Sequence, residues 1–300
     1  VNPEAAAIDT GMFSLYSRAA AYVELTKPRV LLMVLITTLA GFYMGDGARF
    51  DAGVALKTLF GTALAAGGTL ALNQYFERAF DARMNRTRHR PLPSGRLKPI
   101  EALVFGVGAT IAGLAYIWLA VNPLAAGVTG AITALYLGAY TPLKRYTWLC
   151  QIVGAAPGAL PPVIGWAAAR NNLAAEPMVL FGIMFLWQLP HALSIARLYQ
   201  QDYDRAGYKL LPAEREWGNP ANLAMIVATI MLVAFGTLPT LMGFAGRIYL
   251  PIAIGLGLLM LFHAFKLLRR PAVAADARRV MLVSLVYLPM VLLVMVLDKV

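Results

Sequence analysis

Cysteine, histidine and charge are all scarce in this chain. Its 300 residues include one cysteine, Cys150, so no disulfide can form within it. Three scattered histidines, His89, His191 and His263, leave no Cys/His set for zinc. No Gly-rich phosphate loop and no Gly-x-Gly-x-x-Gly fingerprint after a strand occurs, so nothing resembles a nucleotide-driven pump. Charged residues make up 14% of the chain, against about 25% in a typical soluble domain. Residues 1–20 lack a basic start followed by an apolar core, and Arg18 is their only arginine, so they read as neither secretory signal nor transit peptide.

Apolar residues are abundant. Hydrophobic residues reach 59% and the mean hydropathy is +0.65. A multi-span membrane protein is expected. Its net charge of +11 then reflects basic loops rather than nucleic-acid binding. A span needs about 20 mainly apolar residues. Nine windows qualify: 28–45, 53–76, 100–120, 124–141, 149–168, 177–197, 221–242, 249–267 and 279–297. Turn residues part them, among them Pro93-Ser94-Gly95, Asn122-Pro123 and Gly218-Asn219-Pro220. With the N-terminus inside, every Lys and Arg except Arg49, Lys57, Arg170, Arg247 and Lys299 falls on the inner side. That asymmetry predicts an N-in, C-out topology.

Polar residues gather where the second window ends. Asn73, Glu77 and Asp81 are spaced four apart. On a helix, four residues advance about 400° and rise about 6 Å, so the three oxygen-bearing side chains share one face. Hard cations such as Mg²⁺ take oxygen ligands, often one or two carboxylates plus substrate phosphates. Arg83, Arg86, Arg88 and Arg90 follow directly. Arginine pairs bidentately with phosphate. The pattern suggests a metal-bridged diphosphate site. The competing reading is a solvated basic loop, which accounts for the arginines but poorly for carboxylates close to a bilayer.

A second acidic loop, Asp202-Tyr203-Asp204 through Pro212, comes four windows later on the same face. It suggests a weak pseudo-repeat, with the two motifs facing one another. Asp202 is the expected participant, because Asp204 projects about 200° away on a continued helix. Between the motifs lie Lys144 and Arg145, two more cations at that face. The sixth window holds Trp187-Gln188-Leu189-Pro190-His191. Pro190 frees backbone carbonyls and kinks the helix, which can shape a cavity. On a straight helix His191 lies about 16 Å deeper than Asp202. Either it meets a large acceptor there or it bonds between helices. The fifth window, with Gly154, Pro157, Gly158, Pro161, Pro162 and Gly165, reads as a cavity wall.

The first motif resembles the Asn-x-x-x-Asp-x-x-x-Asp signature of the UbiA superfamily of intramembrane prenyltransferases, with Glu77 in place of the middle Asp. Met84-Asn85-Arg86-Thr87 with Arg90-Pro91, the Trp187–His191 element, Thr141 with Lys144-Arg145, and the Asp202–Pro212 loop resemble its haem O synthase branch. The likeness runs from Thr26 to beyond Pro212. It departs from the broader second motif, since Ala206 stands four residues after Asp202.

The resemblance implies an all-α, polytopic membrane protein with nine transmembrane helices around a central cavity. Residues 1–27 would form a cytoplasmic N-terminal segment and 28–300 a single domain. It implies transfer of farnesyl from farnesyl diphosphate to a vinyl group of haem B with addition of water. Asn73, Glu77, Asp81 and Asp202 would hold Mg²⁺ and act in catalysis. Arg86, Arg90, Lys144 and Arg145 would bind diphosphate, and His191 and Trp187 the haem. The implied setting is a bacterial cytoplasmic membrane, both acidic loops facing the cytoplasm. A haem A synthase or terminal-oxidase assembly would follow downstream, and no nucleic acid is involved. Nothing in the sequence identifies the residue that positions the water. Three alternatives remain: a sister enzyme with an aromatic acceptor, a chlorophyll-type prenyltransferase, and a secondary transporter. The transporter fits least, because its ionisable groups belong near mid-bilayer, whereas these carboxylates lie at one face.

Overall fold

The computed structural model describes residues 18–47, 50–211, 220–269 and 274–300. Most of the N-terminal segment lies outside them, as do Arg49, the stretch from Pro212 to Asn219 with Arg215, and Arg270-Pro271. Among the described residues, nine helices are long and apolar enough to cross a membrane. They are α1 (Pro28–Gly45), α2 (Ala52–Asp81), α3 (Pro99–Ala120), α4 (Pro123–Leu143), α5 (Cys150–Arg170), α6 (Ala175–Leu198), α8 (Pro220–Leu241), α9 (Tyr249–Arg269) and α10 (Ala274–Leu297). A short helix, α7 (Gln200–Ala206), follows α6. The described residues contain no strand, only an isolated bridge between Ala245 and Lys299. The chain is an all-helical, multi-pass membrane protein.

Local chemistry sets the helix starts. Pro28, Pro99 and Pro123 each open a helix at a first-turn position, where a missing N–H costs nothing. The Asp51 carboxylate caps Val54 N at 3.0 Å, and the Asn122 amide oxygen caps Ala125 N at 2.8 Å. α2 runs for 30 residues, about 45 Å, against a hydrocarbon core about 30 Å thick. Its last turns therefore reach the membrane surface with the acidic motif still helical.

Between helices in lipid, close approach of small residues replaces the hydrophobic effect as the main attraction. α1 crosses α5 at such a point. A methyl group on Gly165 would overlap the Thr38 carbonyl, and one on Gly41 the Pro162 carbonyl. α2 packs on α3, α3 on α4, and α4 on α5. On the other side α6 packs on α8 and α10, and α9 fits between those two. The α5–α6 contact joins the halves. Where α10 comes back to α1, an apolar groove of about 530 Å³ remains, lined by Met33, Tyr43, Leu292 and Val296 among others.

A cavity of about 110 Å³ lies between α1, α2, α4 and α5, with Pro157, Gly158 and Pro161 in its wall. That matches the expectation for the fifth span. Residues 18–25 are helical and pack across the mouth of the bundle, with Ala21 and Leu25 buried against Ala71, Leu97 and Ala102. The Gln74 amide donates to Leu25 O at 3.0 Å and holds this segment to α2.

Candidate functional site

The three polar groups at the end of α2 lie on one face, as their spacing predicts, and all are buried: Asn73 at 0%, Glu77 at 5% and Asp81 at 1% exposure. Each is met by a cation from a different part of the chain. Lys27 Nζ donates to Asn73 Oδ1 at 2.6 Å. Lys144 Nζ donates to Glu77 Oε1 at 2.7 Å. Arg90 Nη1 donates to Asp81 Oδ2 at 2.8 Å. Asn73 Nδ2 donates in turn to Thr141 Oγ1 at 3.1 Å, which orients the amide oxygen toward Lys27. Burial pulls the Lys27 amine down to about 7, and the positive charge of Arg90 adds to the fall. Burial also acts against the Lys144 ammonium, but the Glu77 carboxylate beside it wins and holds its pKa well above the ordinary value.

The local fold explains how the cations arrive. After Asp81 the chain turns back on itself. The Thr87 hydroxyl donates to Asp81 O at 2.8 Å, and Met84, Thr87, Leu92 and Leu97 are buried beneath the turn. Arg90 is thereby returned to the residue where α2 ended. Lys144 is aimed by a distortion in α4. Pro142 has no N–H and its ring excludes the carbonyl four residues back. The helix widens to a π turn over Leu135–Tyr140, and Thr141 gives both its N–H and its hydroxyl to Tyr136 O, the latter at 2.7 Å. The Lys144 ammonium then sits 4.3 Å from the centre of the Tyr140 ring, beside Glu77.

The second motif is built differently. α6 ends at Leu198, and Tyr199 leaves helical geometry at φ −112° and ψ 24°. The 16 Å depth expected from a straight helix therefore does not apply. α7 carries Asp202 and stops at Gly207, whose φ of 83° needs a residue without a Cβ. Asp202 Oδ1 accepts from Arg205 at 3.2 Å, and Oδ2 faces the Arg86 backbone N–H at 3.4 Å. Arg86 also donates to the Tyr203 hydroxyl at 2.8 Å and stacks 4.9 Å from the Tyr199 ring. Arg86 thus stitches the two motifs together across the mouth. Lys209 N donates to Lys144 O at 2.9 Å, tying the second loop to the end of α4. Arg145 lies 4.2 Å over Phe80 and makes no ion pair among the described residues. Asp204 is exposed, as expected.

Trp187 and His191 are not part of this cluster. Both face α10 from α6. Their rings stack at 4.9 Å and 15°. Trp187 Nε1 donates to Ser284 O at 2.7 Å, and His191 Nδ1 lies 2.8 Å from Ser284 Oγ. Ser284 Oγ already donates its single hydrogen to Met281 O at 2.7 Å, so Nδ1–H is the donor to it. The Nε2 lone pair of a neutral His191 is left free of that bond.

Sequence reasoning missed three participants. Lys27 read only as part of a helix start, although Lys27 before Pro28 was a signal at the right face. Tyr208, buried and stacked 5.1 Å from Phe80, closes the space above Lys144. Ser284 stood in a span that looked generic.

The donors suit a hard cation. Asp81 Oδ1 is buried and has no hydrogen-bond partner among the described residues. An oxygen in that state is costly unless something positive meets it. Among the described residues, no three His, Cys, Asp or Glu side chains lie close enough to hold a metal by themselves. Oxygen atoms from a ligand would have to complete the shell, which is the habit of Mg²⁺ with phosphates. Arg90 and Lys144 balance the two carboxylates, and Lys27, lowered to about 7, adds positive charge as it takes up a proton, which an arriving anion favours.

Comparison with known proteins follows the same line. Residues 34–286 match the model of the UbiA prenyltransferase family. The chain belongs to the UbiA prenyltransferase family. Its relatives in this family include the protohaem IX farnesyltransferase of Solibacter usitatus, 44% identical over 93% of this chain and 98% of that one. The protohaem IX farnesyltransferase of Myxococcus xanthus is 39% identical over 96% of this chain and 97% of its own. Among solved structures, the chain superimposes on digeranylgeranylglyceryl phosphate synthase with a TM-score of 0.79 at 18% identity, covering 94% and 98% of the two chains. A UbiA homologue from Archaeoglobus fulgidus bound to GPP and Mg²⁺ gives 0.66 at 17% identity over 92% and 99%. These two likenesses concern the fold alone. As a UbiA family member, the chain is a prenyltransferase.

Proposed function

We propose that the protein transfers the farnesyl group of farnesyl diphosphate to a vinyl group of haem B, with addition of water, giving haem O and diphosphate. The observation that carries this reading is the buried row Asn73, Glu77 and Asp81, ringed by Lys27, Lys144 and Arg90 and bridged through Arg86 to Asp202. The names of the relatives give the acceptor.

Asn73, Glu77, Asp81 and Asp202 are the groups that would hold Mg²⁺. When bound, the ion acts as Lewis acid and template for the leaving diphosphate. Arg90 and Lys144 now neutralise the carboxylates. With substrate present they turn to the phosphate oxygens, joined by Arg86, Arg145 and Lys27. Preorganised positive charge of this kind stabilises the leaving group as its charge grows. The aromatic rings of Tyr140, Tyr208 and Phe80 line the approach, exclude water and favour an allylic cation. His191, with its Nε2 lone pair, and Trp187 are the groups assigned to haem.

The basic-loop asymmetry supports an N-terminus and both motifs at the cytoplasmic face of a bacterial inner membrane. Residues 28–300 are assigned to one domain and 1–27 to a cytoplasmic lead, whose residues 18–27 pack on that domain and bring Lys27 to the site. A haem A synthase or terminal-oxidase assembly takes up the product. The test is direct: purified protein with haem B, farnesyl diphosphate and Mg²⁺, products read by mass spectrometry. Haem O is expected. Prenylated hydroxybenzoate with no haem product would assign an aromatic acceptor instead.

A further inference from the structure

The proposed reaction ends with water, yet its cation must form in a site that excludes bulk water. The polar face of α2 does not stop at Asn73. Four residues deeper, about 6 Å along the helix, it continues with Thr69, and seven further with Thr62. Seven residues make nearly two full turns, so Thr62 lies on the same face. Both line the 110 Å³ cavity between α1, α2, α4 and α5, together with Thr129, Thr133 and Tyr136. The rest of its wall is mostly apolar.

The hydroxyls in this cavity are bonded in an uneven way. Helical threonines in this protein generally give their hydrogen to a carbonyl one turn back. Thr58 donates to Val54 O, Thr110 to Gly106 O and Thr129 to Ala125 O. Thr62 does not. Its Oγ1 is fully buried with no partner among the described residues, and the residue is 0% exposed. Thr69 Oγ1 instead bonds across the helix interface to Thr133 Oγ1 at 2.9 Å. Thr133 leans toward Thr129 O at 3.3 Å. With the Thr133 hydrogen on that carbonyl, Thr69 is the donor in the shared bond. Thr69 Oγ1 then keeps lone pairs free of that bond, on a residue that lines the cavity.

We infer that Thr69, held by Thr133, positions the water that ends the reaction. This rests on the function proposed above. The size fits, because one water takes about 30 Å³ of liquid volume and needs polar partners to stay in an apolar cavity. The depth fits as well. A Thr69-bound water lies one helical turn below the lowest diphosphate-side group, Asn73, within reach of the acceptor carbon next to the one that bonds the transferred C1.

The electron count closes with no further reagent. The C1–O bond of farnesyl diphosphate breaks and its pair leaves with diphosphate. The vinyl π pair forms the bond from its terminal carbon to C1, and the positive charge falls on the inner vinyl carbon. A lone pair of the Thr69-bound water forms the C–O bond there, and the water's proton passes to the departing diphosphate. Without that water, a proton is lost from the adjacent carbon to the same acceptor. The product is then an alkene lighter by one water.

The test reads the ratio of alcohol to alkene by mass spectrometry. Wild-type protein in water labelled with heavy oxygen should give the labelled alcohol. In the Thr69→Val/Thr133→Val double variant, which keeps shape but removes both hydroxyls, the alkene should become the major product. Thr69→Ser should restore the alcohol, which a purely packing role would not require. Thr62→Val changes a hydroxyl sealed from water and should leave the ratio at its wild-type value. Alcohol in wild-type proportion from the double variant overturns the inference. So does an inactive double variant accompanied by a wild-type ratio in the single variant Thr69→Val. If wild-type protein farnesylates no haem, the proposed function itself falls, and the water site with it. That outcome is distinct, since it appears before any threonine is changed.

Discussion

Asp81 ends an unbroken 30-residue helix and is 1% exposed, whereas Asp202 sits on a seven-residue helix beyond a break, with its side chain 15% exposed. The partners differ in the same sense. Arg90 and Lys144 reach the first motif at 2.8 and 2.7 Å and are themselves largely buried. Arg205 reaches Asp202 at 3.2 Å from a half-exposed position, and the Arg86 N–H stands off at 3.4 Å. The first motif is thus fixed before any ligand arrives. In the second, the bonds to the Asp202 carboxylate are long, although Tyr203 and Lys209 anchor the loop at 2.8 and 2.9 Å. A diphosphate would therefore meet buried, closely paired carboxylates on one side and a more exposed, loosely paired one on the other.

Breaking the ion pairs should give the largest contrast. Lys144→Met leaves Glu77 buried and unpaired, so a stability loss of about 3–5 kcal/mol is expected, largely recovered by adding Glu77→Gln. Arg205→Gln should cost less than about 1 kcal/mol. Thermal unfolding in detergent measures both, and equal losses would erase the distinction between the motifs. In turnover, Asp81→Asn should lose about 10²–10³-fold, as expected when a preorganised electrostatic group is removed. Asp202→Asn should lose about 10–100-fold, comparable to loss of a supporting ligand. The reverse order would make the second motif the principal one. Glu77→Asp retains the carboxylate and should keep partial activity.

His191→Ala probes a region away from both motifs. Haem affinity, followed through the Soret band, should fall about tenfold, or about 1.4 kcal/mol, with farnesyl diphosphate affinity unchanged. Loss of farnesyl diphosphate binding with haem binding intact would reverse the assignment. Side-specific labelling should disturb the protein least. Cysteines at Ser94 and Asp204, both exposed, should react only from the cytoplasm, and one at Ala174 only from outside. Gly207 and Asn171 are poorer label sites because both have positive φ. The native Cys150 is buried. Reaction of Ser94 and Ala174 from one side contradicts the topology.

Much of this was legible in the chain. Hydropathy marks the nine spans because lipid enforces long apolar helices, and the four-residue spacing of Asn73, Glu77 and Asp81 survives as a shared face. Which cation meets which oxygen was not legible. Lys27 and Asn73 are 46 residues apart, and Lys144 reaches Glu77 across 67. Such pairings depend on helix packing, which hydropathy and periodicity do not encode. The break at Tyr199 has no proline or glycine to announce it. The role of Ser284 is invisible for a similar reason, since one serine in an apolar span gains meaning only from what packs against it.

The central claim is that the first acidic motif binds diphosphate through a metal. The most direct measurement is calorimetric titration of farnesyl diphosphate into purified protein, with and without Mg²⁺, in wild type and Asp81→Asn. Binding that requires Mg²⁺ in the wild type and is lost in Asp81→Asn is the expected result. Equal affinity in both proteins, whether or not the metal is present, would contradict it.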